Sequence, residues 1–124
     1  MTFNIMDFAA GAQQKARING HEISYHLLDV GEELEVSRLT APYNGTYGVE
    51  TAVKSATFAL SVDAIDGSMF YADIAPDSPG SAEERFKKAC GFYRWWVEAW
   101  FDIYTKKREE RARDLEEFKK KSEA

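Results

Sequence analysis

The sequence predicts an α+β fold, in which an N-terminal β-hairpin packs on short helices and a long C-terminal helix dominates. Three observations carry this. Asn19-Gly20 separates two short strand-like stretches, Val49, Val53, Ala56 and Leu60 recur at helical spacing, and most of the aromatic residues gather late in the chain. All three tryptophans, Trp95, Trp96 and Trp100, fall within six residues, and seven aromatics occupy positions 92–104. A chain of 124 residues, 44% hydrophobic and 14% aromatic, holds one modest core and lies outside the disordered range.

Residues 1–14 are weakly patterned and are expected to form a loosely ordered lead-in. A hairpin is expected over 15–28. Asn-Gly supplies the two positive φ values of a type I′ turn, whose twist matches the flanking strands. Ile23, Tyr25 and Leu27 then fall on one face and Glu22, Ser24 and His26 on the other. Over 30–40 the acidic first turn and the pair Asp29/Glu32 read as a capped helix. The alternation of Leu34 and Val36 with Glu33 and Glu35 is the competing strand signal.

Pro42 and Asn44-Gly45 mark a loop. An amphipathic helix follows over Tyr47–Leu60, with Phe58 widening its apolar stripe. Residues 61–67 read as extended and end in an Asp66-Gly67 turn, and 68–74 as a short strand pairing back. Ala75–Gly80 is the clearest linker. Ser81 with Glu84 is a capping-box signature that starts the last helix near residue 82.

No proline follows, so 81–124 reads as one helix, aromatic and then charged. Residues 82–120 alone would span roughly 60 Å at the helical rise. Phe86, Tyr93 and Trp100 repeat every seven residues and define one apolar seam, with Trp96 and Val97 between them. Beyond Tyr104 the pairs Glu109–Arg113, Glu116–Lys120 and Glu117–Lys121 suit a solvated, ion-paired rod. The organisation expected is a lead-in at 1–14, an α+β body at 15–80 and the helix at 81–124, in a single domain.

Residues 1–105 carry 8 basic and 15 acidic side chains, net −7, and residues 106–124 carry 8 and 6, net +2. The acidic body argues against binding a nucleic-acid backbone. Single Cys90 leaves no internal disulfide and suits a reducing compartment. No stretch reads as a signal peptide or a membrane span, so an intracellular protein with no membrane partner is expected. His21 and His26, five apart on a strand, point to opposite faces and share no metal; both read as surface or strand-edge residues. Asp63, Asp66 and Asp73 lack the spacing of a calcium loop. No nucleophile has a base partner, so no enzyme, cofactor or metal is expected.

The aromatic helix is the functional candidate. One seam cannot bury every ring, so Trp95, Phe101 and Tyr104, with Phe92 and Trp100, are expected to contribute to a partner-binding surface. Self-association through this helix is expected as well.

A family resemblance bears on the partner. The segments LLDVGEELEVSRLTA (27–41), ATFALSVDAIDG (56–67) and FYRWWVEAWFDIYTKKREE (92–110) resemble, in order and texture, the small tail assembly chaperones and related tail-module proteins of long-tailed bacteriophages. The resemblance covers about residues 15–115. It departs at Arg94-Trp95-Trp96, where that family often carries Tyr-Pro-Pro-like residues. It implies a non-enzymatic protein of the infected host cytoplasm that binds the tape-measure and tail-tube proteins during tail assembly. A structural baseplate or connector component, and a small acidic inhibitor of a host protein, are the alternative readings.

Overall fold

The computed structural model describes residues 12–75 and 79–123, with side chains to Lys121. Its fold is α+β. Strands β1 (Gln13–Ile18) and β2 (His21–His26) form the expected hairpin, two residues longer at its start than the sequence suggests. Asn19 (φ 50°) and Gly20 (φ 83°) make the type I′ turn. Register runs from Ile18 opposite His21 to Gln13 opposite His26. The rest of the expected lead-in, residues 1–11, lies outside the described residues.

Helix α1 (Val30–Thr40) settles the ambiguity at 30–40 for helix. The capping box is complete: Glu32 N–H donates to Asp29 Oδ1 at 2.8 Å, and Asp29 N–H to Glu32 Oε1 at 3.2 Å. Two orphan donors are thereby satisfied, which outweighs the alternation signal. A 3-10 turn (Ala41–Tyr43) leads through the loop into α2 (Val49–Ser61). That helix runs without a loop into β3 (Val62–Ile65). Strand β3 joins β2 antiparallel, giving the order β1-β2-β3, a partner for β3 that the sequence did not reveal. Asp66 (φ 52°) and Gly67 form the turn beyond it. Asp66 fastens that turn to β2 by accepting the Glu22 N–H at 2.8 Å and pairing with His21 Nδ1 at 2.6 Å.

Two expectations fail between 68 and 81. Residues 68–74 form turns, with one bridge between Ser68 and Ile65; Ile74 N–H closes back on Tyr71 O at 2.9 Å, a local bond that competes with a ladder. Gly80, in the left-handed region at φ 80°, takes the N-cap position of α3 (Ser81–Ala89), with Glu84 N–H bonding its carbonyl at 3.1 Å. The helix therefore begins on Ser81, and the capping box expected from Ser81 and Glu84 is not what starts it. Residues 76–78 of the expected linker lie outside the described residues.

The largest correction concerns the C-terminal helix, which is two helices. After α3 the chain turns through Cys90–Tyr93 and restarts as α4 (Arg94–Glu123). Tight bonds close the first helix: Gly91 N–H to Lys88 O at 3.0 Å and Phe92 N–H to Ala89 O at 3.1 Å. The cause is Phe92. Its ring is drawn against Phe58 at 5.1 Å and Phe70 at 5.7 Å, and the backbone bends to deliver it. Tyr93 is consequently 76% exposed, so the seam Phe86–Tyr93–Trp100 does not exist.

The core lies between the helices and the sheet face bearing Ile18, Ile23 and Tyr25. Phe58 is its hub, with Trp96 at 5.6 Å and Trp100 at 5.3 Å besides Phe70 and Phe92. Most of these rings meet edge-on or tilted, the arrangement that aromatic quadrupoles favour. Tyr25 meets Trp100 edge-on at 5.9 Å, and Tyr104 lies 5.1 Å from Trp100.

Candidate partner-binding surface

The bend between α3 and α4 positions the candidate surface. Because Phe92 points inward, its neighbours Tyr93 and Trp95 face outward. Their rings stack nearly parallel (17°) with centroids 6.5 Å apart, and Trp95 remains 54% exposed. Two concavities flank the bend. A cavity of about 510 Å³ opens toward α2 and is rimmed by Tyr43, Tyr47, Lys54, Arg94 and Glu98. A groove of about 320 Å³ opens on the other side, lined by His21, Ile65, Phe92, Tyr93 and Trp96. Exposed aromatic rings beside concave apolar surface are the usual anchors of protein recognition.

The five residues expected on this surface separate. Trp95 stands on it. Phe92 is half-buried and lines both concavities while its ring joins the core. Phe101 is half-buried, packed on Trp100 and Tyr104, with the Lys54 ammonium 5.6 Å above its ring. Trp100 (0% exposed) and Tyr104 (1% exposed) are core and not surface. Tyr104 is held there by its hydroxyl, which accepts the buried Leu28 N–H at 3.2 Å and so satisfies the chain between β2 and α1. The seam assignment hid Tyr93. Tyr43 and Tyr47 were also missed: Tyr43 fell in the loop marked by Pro42 and Asn44-Gly45, and the helix expected over Tyr47–Leu60 absorbed Tyr47, whereas α2 begins at Val49.

A half-buried charged cluster surrounds His26. Its Nε2 lies 2.8 Å from Glu32 Oε2, and its Nδ1 lies 3.1 Å from Asp63 Oδ2. The register shift between Ser24 and Tyr25 leaves Asp63 out of the paired residues of β3 and frees it for this contact. The hydrogen bonds that the ring donates to Glu32, and then to Asp63, raise the His26 pKa to about 9 against the opposing effect of burial. An imidazolium with a carboxylate on each nitrogen presents neither nitrogen to a substrate. It ties α1 and β3 to β2, a structural role that corrects the expected surface position.

Cys90 is a free thiol whose pKa desolvation pushes up, the opposite of nucleophile activation. Among the described residues no group of three or more His, Cys, Asp and Glu side chains is placed to hold a metal ion. No helix among them is long and apolar enough to cross a membrane.

No protein-family model matches the chain, and none of the curated proteins or solved structures matches it. The functional reading therefore rests on the surface itself and on the segment resemblance.

Proposed function

We propose that this chain is a non-enzymatic protein-binding protein whose contact surface is the bend between α3 and α4. The observation that carries the reading is the stacked Tyr93–Trp95 pair, exposed between two concavities that half-buried Phe92 lines on both sides. A free aromatic pair of this kind exposes apolar area that a partner removes from water, at about 25 cal/mol per Å². Tyr93 closes the hydrogen-bonded turn before α4 and Trp95 lies in the first turn of that helix, so their backbone is already ordered before binding.

The resemblance over residues 15–115 supplies the partner class. On that basis we propose a tail assembly chaperone of a long-tailed bacteriophage, acting in the host cytoplasm on tape-measure and tail-tube proteins, with no nucleic-acid or membrane partner and no cofactor. Co-expression with a tape-measure fragment tests this. The expected result is co-purification that Trp95→Ala abolishes; no co-purification overturns the chaperone reading. Mass spectrometry of purified virions should find the chain absent, and its presence would replace chaperone by structural component.

A further inference from the structure

Strand β1 is an edge of the sheet, and its outer side is open. The two-residue turn makes Ile18 and His21 a pair that exchanges both backbone hydrogen bonds, and such pairs alternate along an antiparallel ladder. Ile18, Ala16 and Gln14 therefore direct their N–H and carbonyl groups to β2, and those of Arg17, Lys15 and Gln13 point away from it. Among the described residues none of these outward groups meets a hydrogen-bond partner. The strand itself is anchored. Ala16 and Ile18 are buried in the core, whereas Gln13, Lys15 and Arg17 are exposed.

We propose that this edge takes an extended, acidic segment of a partner protein as a fourth, antiparallel strand. In such an addition the backbone bonds supply affinity and alternate side chains supply specificity. Lys15 and Arg17 place two cations on the edge of a body whose residues 1–105 are net −7. Lys15 is 64% exposed, and its contact with Glu22 on β2 is long, at 3.5 Å. Residues i and i+2 of a strand lie ~7 Å apart on one face, so glutamates at alternate positions of the incoming segment fall opposite both cations. The same charges decide against a second copy. Antiparallel pairing of two β1 edges with all three outward residues overlapped sets Lys15 against Lys15, and sliding them toward the turn sets Lys15 against Arg17. Like charges directly opposite are destabilising. Strand β1 contributes no residue to the ridge or to either concavity, so this inference stands or falls apart from the reading of the bend.

The probe is a synthetic peptide, acetyl-Thr-Glu-Val-Glu-Val-Glu-Thr-amide, titrated into the full chain and followed by NMR. The outward amides of Lys15 and Arg17 should exchange quickly with water in the free protein and about tenfold or more slowly once the peptide binds. The Ala16 amide, bonded to β2 in both states, should change little. The same peptide with its glutamates N-methylated keeps every charge but offers β1 no N–H, and it should bind about tenfold or more weakly. So should a peptide with lysine in place of each glutamate.

Two variants test the same contacts from the protein's side. Lys15→Gln removes one charge, and Lys15→Pro removes in addition an N–H that no ladder bond uses, a place where an edge strand tolerates proline. Each should weaken binding, proline more than glutamine, with circular dichroism establishing that both fold. Binding that leaves the Lys15 and Arg17 amides exchanging as before, or that N-methylation does not weaken, is attraction between charges alone and overturns the added strand. A lysine peptide that binds as well as the glutamate peptide overturns the acidic occupant. A glutamate peptide that does not bind overturns the proposal, and so does the same amide protection appearing when the protein concentration alone is raised, which would make a second copy the occupant.

Discussion

At the residue scale, two polar side chains hold the fold together where the sequence shows only an aromatic and a strand histidine. Tyr104→Phe removes the hydroxyl that accepts the buried Leu28 N–H while leaving the ring in place. The cost is desolvation of an unpaired donor, about 1–3 kcal/mol, to be read from urea unfolding. Unchanged stability would show that Tyr104 is held by its ring alone. His26 gives a pH signature with a definite sign. Its pKa is raised from 6.5 to about 9 on folding, so folding favours the protonated form. The contribution is complete below pH 6.5 and is lost as the pH rises through about 9. With its side chain 14% exposed, the term is on the order of 3 kcal/mol. The difference in unfolding free energy between wild type and His26→Gln should shrink between pH 6 and pH 10. A difference that stays constant would sink the assignment.

At the element scale the bend after α3 separates what is local from what is not. The hairpin, α1 and α2 were legible because their signals are short-range: Asn19-Gly20, the Asp29/Glu32 box, and one helical stripe. The bend was not. Its cause is Phe92 packing on Phe58 and Phe70, residues 34 and 22 positions away in the chain, and periodicity carries no information about such contacts. Gly91 was the one local hint, a weak one, since glycine also occurs inside helices. A Cβ at position 91 would stand 3.2 Å from the Lys88 carbonyl oxygen, tighter than ordinary contact. Gly91→Ala should therefore destabilise by about 1 kcal/mol, although alanine favours helix intrinsically. Phe92→Ala should cost more, about 2–4 kcal/mol, because it empties a place beside the core's hub. Both are measurable by chemical unfolding. A stabilised Gly91→Ala would mean that the continuous helix read from the sequence lies close in energy to the bent one.

At the scale of the whole molecule, the aromatic cluster divides into a part that folds the chain and a part that the fold leaves exposed. The sequence showed that one seam could not bury every ring but not which rings would stay out, because that choice depends on where the bend falls. With the bend at 90–93, α4 turns Trp100 and Tyr104 onto Tyr25 and Phe58, and the turn lifts Tyr93 and Trp95 into solvent. The two tryptophans should therefore dissociate stability from binding. Trp100→Ala should cost about 3–5 kcal/mol, a large share of the 5–15 kcal/mol that holds a domain together. Trp95→Ala should change stability by no more than about 0.5 kcal/mol, as surface substitutions do, while removing client binding. Thermal unfolding and co-purification on the same two variants check both halves. Should Trp95→Ala unfold the chain as readily as Trp100→Ala, the exposed pair would be part of the core, and the surface on which the function is argued would not exist.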